Sequence, residues 1–356
     1  MGFSTTVLLI TDDWVQRKLG EVAPLQRGFD LPKSEMCAGE YPVVMSNGIN
    51  GFHSEFKAKA PGVVTGRSGT IGNLFFIEKD YWPHNTALWV TDFMGNHPKF
   101  IYHLYRKVDL NRFGTGTGVP TLNRNDVHAE FVFIPNIKEQ IKISEFYTTF
   151  DKINGLYKRK TENLKLLKKA CLQQMFPNDG ETVPKIRFTG FTGDWEEVKL
   201  GDVVKVNSGR DYKHLNFGNI PVYGTGGYML SVDESLSDND AIGIGRKGTI
   251  DKPQLLRTPF WTVDTLFFMI PEKNNDLLFL YALSQGIEWA KLDESTGVPS
   301  LSKINIENIV KYFPSFPEQA AIGGFFLNLD MQISAQAQIL EQYKKLKMAY
   351  LHKMFI

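Results

Sequence analysis

The feature of this chain that most limits its fold is a long internal repeat. The heptapeptide "TGVPTLN" at residues 117–123 returns as "TGVPSLS" at residues 296–302, 179 positions later. The stretch "DWVQRKLGEV" from Asp13 likewise returns as "DWEEVKLGDV" from Asp194, and "GRSGTI" returns as "GRKGTI". A period this long lies far above the roughly 20–50 residues of solenoid repeats, so it indicates a duplicated domain.

The two copies do not match everywhere. Residues 23–40 share little with 204–219, and residues 90–99 share little with 269–278, although matched blocks lie on both sides. Loops that vary on a constant scaffold are a usual means by which one fold binds different ligands. We therefore expect two domains with one fold and two different binding surfaces.

Each copy has a globular part followed by a long helix. Segments such as "NLFFIEKD", "DTLFFMI" and "EFVFIPN" are typical of short strands between turns. After each globular part, apolar residues recur at alternating spacings of three and four, which is typical of a coiled-coil seam. The predicted seam residues are Ile143, Phe146, Phe150, Ile153, Tyr157, Leu164 and Leu167 in the first copy, and Ile322, Phe325, Leu329, Ile339, Tyr343 and Leu346 in the second.

These patterns predict an α+β protein in which two similar globular domains are joined by two long antiparallel coiled-coil helices with pseudo-two-fold symmetry. The predicted boundaries are 1–136 for the first domain, 137–177 for the central helix, 178–315 for the second domain and 316–356 for the C-terminal helix. In the alternative arrangement each helix folds back on its own domain, which would have to cover about four heptads.

Composition and charge limit the class of partner. The 356 residues are 42% hydrophobic and 22% charged, and the net charge is only +1, whereas a simple nucleic-acid-binding protein is usually strongly basic. Positive charge is concentrated in residues 137–176, with nine Lys and Arg against four Asp and Glu. Cys37 and Cys171 lie far apart without a CxxC partner, so we expect no metal site or disulfide, and a cytoplasmic location.

The sequence lacks recognisable catalytic motifs. "GIGRKG" at 243–248 fits the dinucleotide pattern G-x-G-x-x-G, but the first copy reads "VTGRSG" and lacks the leading glycine. No lysine-containing phosphate loop, zinc-protease motif or nucleophile elbow occurs, and the seven histidines form no close pair with ligand spacing. The sequence therefore predicts a non-catalytic protein that itself binds no cofactor or metal.

Several motifs, taken as an ordered and duplicated set, resemble a known family. They are "GDWEEVKLGDVVKV", "IPVYGTGG", "GRKGTI", "VDTLFFM", "STGVPSLS", "FPEQAAIGGFFLNLD" and "LEQYKKLKMAYLHKMF", with first-copy partners in the same order. The set resembles the DNA-specificity subunit of type I restriction–modification enzymes over nearly the whole chain. That resemblance implies two target-recognition domains, each of which reads half of a bipartite DNA sequence. It also implies that the helices set the gap between half-sites and dock two methyltransferase subunits, which restriction (translocase) subunits can join.

The resemblance also implies where the chemistry occurs. S-adenosylmethionine, ATP and Mg would be bound by the partner subunits, and this chain would be the non-catalytic recognition subunit. The divergent loops predict that the double-stranded DNA target is asymmetric. Because affinity for DNA depends on the number of phosphates neutralised, two near-neutral domains predict that partner subunits supply further cationic surface.

Candidate DNA contacts lie on the expected loops. Arg67, Arg246 and Lys247 lie beside glycines that let the backbone approach a phosphate, so we predict contacts to the DNA backbone. Thr121 and Ser300 follow the GVP turn, where a hydroxyl could meet a phosphate or the turn could be purely structural. Base contacts are predicted from the unmatched stretches, which hold Arg27, Lys33, Asn47, Asn50, His53, Arg112, Arg210, Tyr212, Lys213, His214 and Lys291. For each of these side chains the alternative is an ordinary solvated surface group.

Two other functions fit the same sequence. A scaffold with two protein-binding heads agrees with the near-neutral charge. A specificity subunit of a related system, in which methylation and cleavage share one polypeptide, agrees with the same motifs.

Overall fold

The computed structural model of the chain describes residues 14–116 and 118–355. The chain divides into two compact units: residues up to 156 together with residues from 339 onward make unit 1, and residues 157–338 make unit 2. Each unit therefore contains one globular domain and one segment of each long helix. Within the described residues, no helix is both long and apolar enough to cross a membrane.

The first copy alternates short strands with short helices before its long helix. In chain order its elements are β1 (Val15–Lys18), α1 (Leu19–Val22), β2 (Leu25–Arg27), β3 (Tyr41–Met45), β4 (Gly48–His53), β5 (Gly62–Gly66), β6 (Leu74–Ile77), β7 (Trp82–Pro83), β8 (Ala87–Val90), α2 (Pro98–Val108), β9 (Gly114–Thr115), β10 (Thr121–Leu122), α3 (Arg124–Ala129), β11 (Phe131–Ile134) and α4 (Ile137–Gln174).

The second copy follows the same order, except that its described residues form no counterparts of β9 and β10. Its elements are β12 (Glu196–Lys199), α5 (Leu200–Val203), β13 (Val204–Ser208), β14 (Phe217–Gly224), β15 (Gly227–Val232), β16 (Ala241–Gly245), β17 (Gln254–Leu256), β18 (Trp261–Thr262), β19 (Leu266–Pro271), α6 (Leu277–Gly286), α7 (Lys303–Glu307), β20 (Val310–Phe313) and α8 (Phe316–Met354).

Three sheets occur in both copies, and the first copy also pairs β9 with β10. In unit 1 a four-stranded antiparallel sheet has the order β2-β8-β5-β6, a three-stranded sheet has the order β4-β3-β7, and β1 pairs with β11. The corresponding orders in unit 2 are β13-β19-β16-β17, β15-β14-β18 and β12-β20. The repeat in the sequence is thus a repeat of strand pairing, and the predicted α+β fold with two similar domains is confirmed.

The central strands are buried on both faces, which explains their composition. Every residue of β5 ("GVVTG") and β16 ("AIGIG") is buried. Small and β-branched side chains leave room for α2 and α6, which pack against these two strands. Phe100 on α2 and Phe279 on α6 are fully buried at repeat-equivalent positions. Burial of each phenyl ring contributes about 1.5–3 kcal/mol to the stability of its domain.

The end of a long helix completes the core of each domain. In unit 1 the ring of Phe355, just after α8, lies 5.3 Å from that of Phe100. In unit 2 the ring of Phe176, just after α4, lies 5.6 Å from that of Phe279. Phe355 and Phe176 are repeat-equivalent, so both domains receive the same aromatic residue from a helix end.

Within unit 1, segments of the two long helices pack antiparallel. Phe146 of α4 contacts Tyr350 of α8 with ring centroids 5.1 Å apart, and Phe150 contacts Tyr343 at 6.1 Å. Rising residue numbers on α4 therefore meet falling numbers on α8.

An ion pair crosses the helix pair in each unit. Lys347 of α8 pairs with Asp151 of α4 in unit 1, and Lys168 of α4 pairs with Asp330 of α8 in unit 2. The lysine side chains are only 11% and 14% exposed. The two lysines are repeat-equivalent, as are the two aspartates, so the duplication preserved the complete pair.

The predicted seam is wrong at Leu167 and Leu346, which are 48% and 43% exposed. The inward positions in these turns are taken by the next residues, Lys168 and Lys347, because each lysine finds a carboxylate on the other helix. The apolar pattern alone favours leucine over lysine and so misplaces the seam by one residue. The remaining predicted seam residues are buried or half-buried.

Candidate nucleic-acid interface

Two stretches that the repeat singles out meet in space in both domains. We name residues 66–70 and 245–249 the Arg-Gly turns, and residues 118–120 and 297–299 the GVP loops. Each Arg-Gly turn begins at the end of a buried strand, β5 or β16, and each GVP loop precedes a short helix, α3 or α7.

In the first domain the Arg-Gly turn is hydrogen-bonded to the GVP loop. The Gly69 N–H donates to the Pro120 carbonyl at 3.0 Å, and the Leu122 N–H donates to the Arg67 carbonyl at 2.8 Å. Gly69 has a φ of 84°, a left-handed conformation that glycine adopts without a steric penalty. The glycine therefore lets the turn bend onto the loop.

The second domain repeats this arrangement. The Gly248 N–H donates to the Pro299 carbonyl at 2.8 Å, and the Leu301 N–H donates to the Arg246 carbonyl at 2.9 Å. Gly248 has a φ of 90°. The turn and the loop are thus one structural feature that occurs in both domains.

A third segment anchors each Arg-Gly turn from the other side. The Arg67 N–H donates to the Thr86 carbonyl and the Arg246 N–H donates to the Thr265 carbonyl, both at 2.8 Å. In the first domain the Ser46 N–H, at the tip of the β3–β4 hairpin, donates to the Thr86 hydroxyl at 3.4 Å. The turn, the loop and the hairpin tip therefore lie at the same end of this domain.

The cations of the Arg-Gly turns are available to an external anion. Arg67 is half-buried, whereas Arg246 and Lys247 are exposed. The Arg246 guanidinium lies 5.6 Å from the centre of the Phe267 ring. Among residues 14–116 and 118–355, none of the three cations has an acidic partner within salt-bridge distance. Their positive charge is therefore not neutralised locally.

His84 adds no positive charge to this end of the first domain at neutral pH. Its Nδ1 lies 3.0 Å from the Thr86 hydroxyl. Burial lowers the pKa of His84, and a backbone hydrogen bond with Leu31 and the charge of Asp30 offset this only in part.

His53 is not placed for base contact, which contradicts the prediction for this residue. The side chain belongs to the core, with 6% exposure. Its Nδ1 accepts a hydrogen bond from the Cys37 N–H at 3.1 Å, and its ring lies edge-on to Trp82 at 5.1 Å. The imidazole therefore ties the loop after β2 to the sheet.

Three predicted cations are engaged within their own domains. Arg27 pairs with Asp30 at 3.1 Å, Arg112 pairs with Glu130, and Lys291 pairs with Glu288 on the preceding turn. All three cationic side chains are about half exposed or more. Exposed pairs of this kind contribute little to stability, so a phosphate or a base can compete for the cation.

The hydroxyl and amide groups next to the GVP loops serve the turns themselves. The Thr121 hydroxyl donates to the Val119 carbonyl at 3.4 Å. The Ser300 N–H donates to the Asp293 carboxylate at 2.9 Å. Hydrogen bonds from Ser300 and Ser295 hold the pKa of Asp293 below its ordinary value. The Thr121 contact favours the structural interpretation of that hydroxyl. The Ser300 contact is made by the backbone N–H, so a phosphate contact of the Ser300 hydroxyl stays a prediction.

In the second domain the unmatched loops form a cleft of about 650 Å³. Tyr212 and Lys213 form one wall, and the β14–β15 hairpin forms another with Tyr228 and Met229. Tyr228 and Met229 are 63% and 50% exposed, and the sequence reasoning missed both. Their position in a hairpin aligned with the one that holds Asn47 and Asn50 is the signal that could have found them.

The remaining candidates are also on loops and surfaces. Arg210 and His214 are exposed, and the Arg210 carbonyl accepts a hydrogen bond from the Trp261 indole at 3.0 Å. Lys33 is exposed on a 3-10 turn, Lys33–Glu35. The remaining two, Asn47 and Asn50, are hydrogen-bonded to each other at the β3–β4 hairpin. Their roles as base contacts stay predictions.

The described residues contain no group of three or more His, Cys, Asp and Glu side chains placed to hold a metal ion.

The chain thus belongs to the class of proteins with a duplicated domain, in which both copies keep a cationic turn and differ in the loops around it. The particular family follows from the sequence profile of the type I restriction modification DNA specificity domain, which matches residues 11–166 and again 192–345. The chain therefore belongs to the type I restriction–modification DNA specificity family, and it carries two copies of the DNA-recognition domain.

Two distant curated relatives are named as specificity subunits of type I restriction enzymes. The specificity subunit of the type I restriction enzyme MjaVIII from Methanocaldococcus jannaschii is 23% identical over 270 residues, which cover 65% of this chain and 63% of the relative. The specificity subunit of EcoprrI from Escherichia coli is 23% identical over 158 residues, which cover 42% of this chain and 39% of the relative. The match thus spans less than two thirds of either relative.

Solved structures show the same fold along nearly the whole chain. The type I restriction–modification S subunit from M. genitalium has a TM-score of 0.73 at 19% identity, with 98% of each chain covered. A chain from a structural study of complex assembly and conformational transition of the type I R-M system has a TM-score of 0.58 at 17% identity, with 96% of this chain and 97% of that chain covered.

Proposed function

We propose that this protein is the sequence-specific DNA-recognition subunit of a cytoplasmic type I restriction–modification complex. Each domain reads one half of a bipartite double-stranded DNA target. The observation that carries the proposal is the Arg-Gly turn joined to the GVP loop, which both domains repeat with the same hydrogen bonds while the adjoining loops differ.

The repeated turn suits contact with phosphates. Arg67, Arg246 and Lys247 have no acidic partner among the described residues. Phosphate groups are the same in every DNA sequence, so a phosphate contact fixes the position of a domain without reading bases. A structural feature that both domains keep is therefore suited to the part of the target that does not vary.

The differing surfaces suit contact with bases. The hairpin tip of the first domain presents Asn47 and Asn50, whereas the second domain presents Tyr228 and Met229 beside a cleft. Amide side chains match adenine in the major groove, and apolar groups match the thymine methyl group. Two surfaces of different chemistry favour two different half-sites and thus an asymmetric target.

The long helices suit the roles of spacer and docking surface. Helices α4 and α8 contain 38 and 39 residues, and each is therefore roughly 57 Å long. In our proposal they fix the gap between half-sites and bind two methyltransferase subunits. Restriction subunits, which act as the translocase, complete the assembly.

The partner subunits carry out the chemistry in this proposal. S-adenosylmethionine, ATP and Mg bind to them, and this chain contributes recognition alone. The absence of catalytic motifs from the sequence supports this division of roles. The net charge of +1 supports it too, because a chain with so little excess positive charge neutralises few phosphates without help.

An electrophoretic mobility shift of random-sequence duplex, with and without the cognate methyltransferase, tests the proposal. We expect binding that weakens as salt rises. The double variant Arg67→Ala, Arg246→Ala should bind more weakly for all sequences, and the slope of log affinity against log salt should fall by about one for each lost phosphate contact.

Lys273→Ala is a matched control. Lys273 lies just after the C-terminal end of β19. Arg246 is next to Gly245, which pairs with Leu266 at the N-terminal end of β19, so the two cations lie at opposite ends of that strand. Its loss should leave the salt slope unchanged. An absence of salt-sensitive binding under both conditions would show that the chain is not a DNA-recognition subunit.

A two-headed protein-interaction scaffold is the second candidate. Phe217, which is 90% exposed on β14, and the acidic excess of residues 177–314 favour it. A specificity subunit of a fused methyltransferase–nuclease system would give the same DNA binding, and the neighbouring genes separate it from the type I assignment.

A further inference from the structure

A second repeated feature lies beside the Arg-Gly turn in each domain. The tripeptides "GFD" and "GRD", which begin at Gly28 and Gly209, make the same backbone contacts. The Gly28 N–H donates to the Ala87 carbonyl, and the Gly209 N–H donates to the Leu266 carbonyl, both at 3.0 Å. The two acceptors are repeat-equivalent, so the tripeptides occupy the same place in the two domains.

Close backbone contact fixes the path of the chain at both glycines. A Cβ atom on Gly28 would lie 2.2 Å from the His84 carbonyl oxygen, and one on Gly209 would lie 2.0 Å from the Val263 carbonyl oxygen. Both distances are too short for a real Cβ atom, so only glycine fits. Two residues later the chain places a carboxylate at the same position in each domain.

The two carboxylates, Asp30 and Asp211, have different partners within the protein. Asp30 accepts hydrogen bonds from the Arg27 guanidinium, at 3.1 Å, and from the Asn85 amide. Asp211 accepts a hydrogen bond from the Lys213 N–H at 3.4 Å. No common internal contact therefore explains why both domains have a carboxylate at this position.

Both carboxylates lie at the end of the domain that carries the Arg-Gly turn. The Asp30 side chain is 69% exposed. Asp211 lines the cleft of the second domain together with Lys213 and Thr265, and the Thr265 carbonyl holds the Arg-Gly turn. DNA phosphates repel a carboxylate, so its favourable partner on a duplex is a base amino group. In the major groove, Asp and Glu accept a hydrogen bond from cytosine N4.

Each carboxylate also has a cation close to it in the chain. Arg27 pairs directly with Asp30, and Lys213 shares the cleft with Asp211. Arg and Lys donate to guanine O6 and N7 in the same groove. From these contacts, and on the basis of the function proposed above, we propose that each domain reads one G·C base pair through a carboxylate–cation couple. Asp30 and Asp211 contact cytosine, and Arg27 and Lys213 contact guanine.

Selection from a randomised duplex pool tests this assignment with the full chain in complex with its methyltransferase. The wild-type complex should select a G·C pair in each half-site, and an A·T pair there should weaken binding by about 5- to 150-fold. Asp211→Ala should weaken this preference at one position of one half-site, because Lys213 still contacts guanine, and the double variant Asp211→Ala, Lys213→Ala should remove it. Asp211→Asn should shift it towards adenine, which an amide side chain matches.

The unmutated domain is an internal control for folding, because the half-site of the first domain should be selected unchanged by the Asp211 variants. Asp30→Ala should give the converse result. Asp238→Ala removes a negative charge from an exposed position of the second domain and should change neither half-site.

The outcomes separate the two proposals. If the wild-type complex selects no bipartite motif, the proposed function fails. If it selects one and Asp211→Ala keeps the full preference for G·C, or loses affinity equally for all sequences, the carboxylate does not read a base and the inference is overturned. A half-site without any G·C pair overturns it for that domain.

Discussion

Replacement of Asp151 by alanine tests how the long helices are held together in unit 1. Asp151 is the partner of Lys347, whose side chain is 11% exposed, while its own side chain is 52% exposed. The two possible deletions therefore differ. Asp151→Ala leaves a buried ammonium without a partner, whereas Lys347→Met removes the buried charge and keeps an apolar stem of similar length.

The expected magnitudes follow from this asymmetry. Loss of one partner from a fully buried pair costs about 3–5 kcal/mol, but solvent screens the half-exposed Asp151, so we expect about 2 kcal/mol for Asp151→Ala. Lys347→Met should change the free energy of unfolding by less than about 1 kcal/mol. The double variant should resemble Lys347→Met alone, because the aspartate is then no longer opposite a buried charge.

The same structure predicts a dependence on pH. Burial lowers the pKa of Lys347, and the hydrogen bond and charge of Asp151 raise it in part. In Asp151→Ala the pKa of Lys347 should therefore lie further below the ordinary lysine pKa than it does in the wild type. The folded variant then binds fewer protons than the unfolded variant over a wider pH range than in the wild type. Stability then rises with pH in that range, so the penalty of Asp151→Ala should shrink as pH rises from 7 towards 10.

Calorimetric unfolding of the four proteins of this double-mutant cycle is the assay. A loss of about 2 kcal/mol lowers the midpoint by about 4–8 °C for a unit of 150–250 residues. Asp330→Ala should cost more than Asp151→Ala, since Asp330 is only 30% exposed beside Lys168. If Lys347→Met destabilises more than Asp151→Ala, or the double variant is simply additive, the account of a buried charge and its partner is refuted.

Three further predictions concern other parts of the chain. Two guanidinium nitrogens of Arg187 bind the Glu318 carboxylate at 2.7 Å, and the Glu318 side chain is only 2% exposed. Arg187→Ala leaves this buried carboxylate without its partner, so the free energy of unfolding of unit 2, measured with denaturant, should fall by about 3–5 kcal/mol. A loss below about 1 kcal/mol would contradict the buried pair. Exchange of residues 20–60 with those of a homologue should alter one half-site in a duplex selection, and a change in both would show that the domains do not read separately. Insertion of one heptad into each long helix should lengthen the gap by about three base pairs, since seven residues add about 10 Å; altered half-sites would mean that the domains are not the readers.

The fold could be predicted because the same sequence patterns occur in both copies of the repeat. The two similar domains and the two long helices follow blocks that match between the copies. Strands β2 and β13 take the same place in their sheets although they lie in stretches that share little sequence. The failures at Leu167 and Leu346 have a single cause. A hydrophobic period locates the inward face of a helix only to within a residue, and here a lysine with a carboxylate partner takes the inward position.

Residues of the candidate interface were harder to predict because surface chemistry leaves no period in the sequence. His53 has a polar side chain of a type that can contact DNA, and only its contacts with Cys37 and Trp82 show that it belongs to the core. Asp30 and Asp211 were not among the predicted DNA contacts because the offset between the two copies changes from 181 to 179 residues in this region. Their equivalence becomes visible only through the backbone contacts of the preceding glycines.

Methylome sequencing of cells that carry this subunit and its methyltransferase tests directly whether each domain reads one half-site. We expect methylation at one bipartite motif, with two different half-sites separated by a gap of fixed length. A single contiguous motif, or a palindrome with identical half-sites, would contradict the assignment of one half-site to each domain.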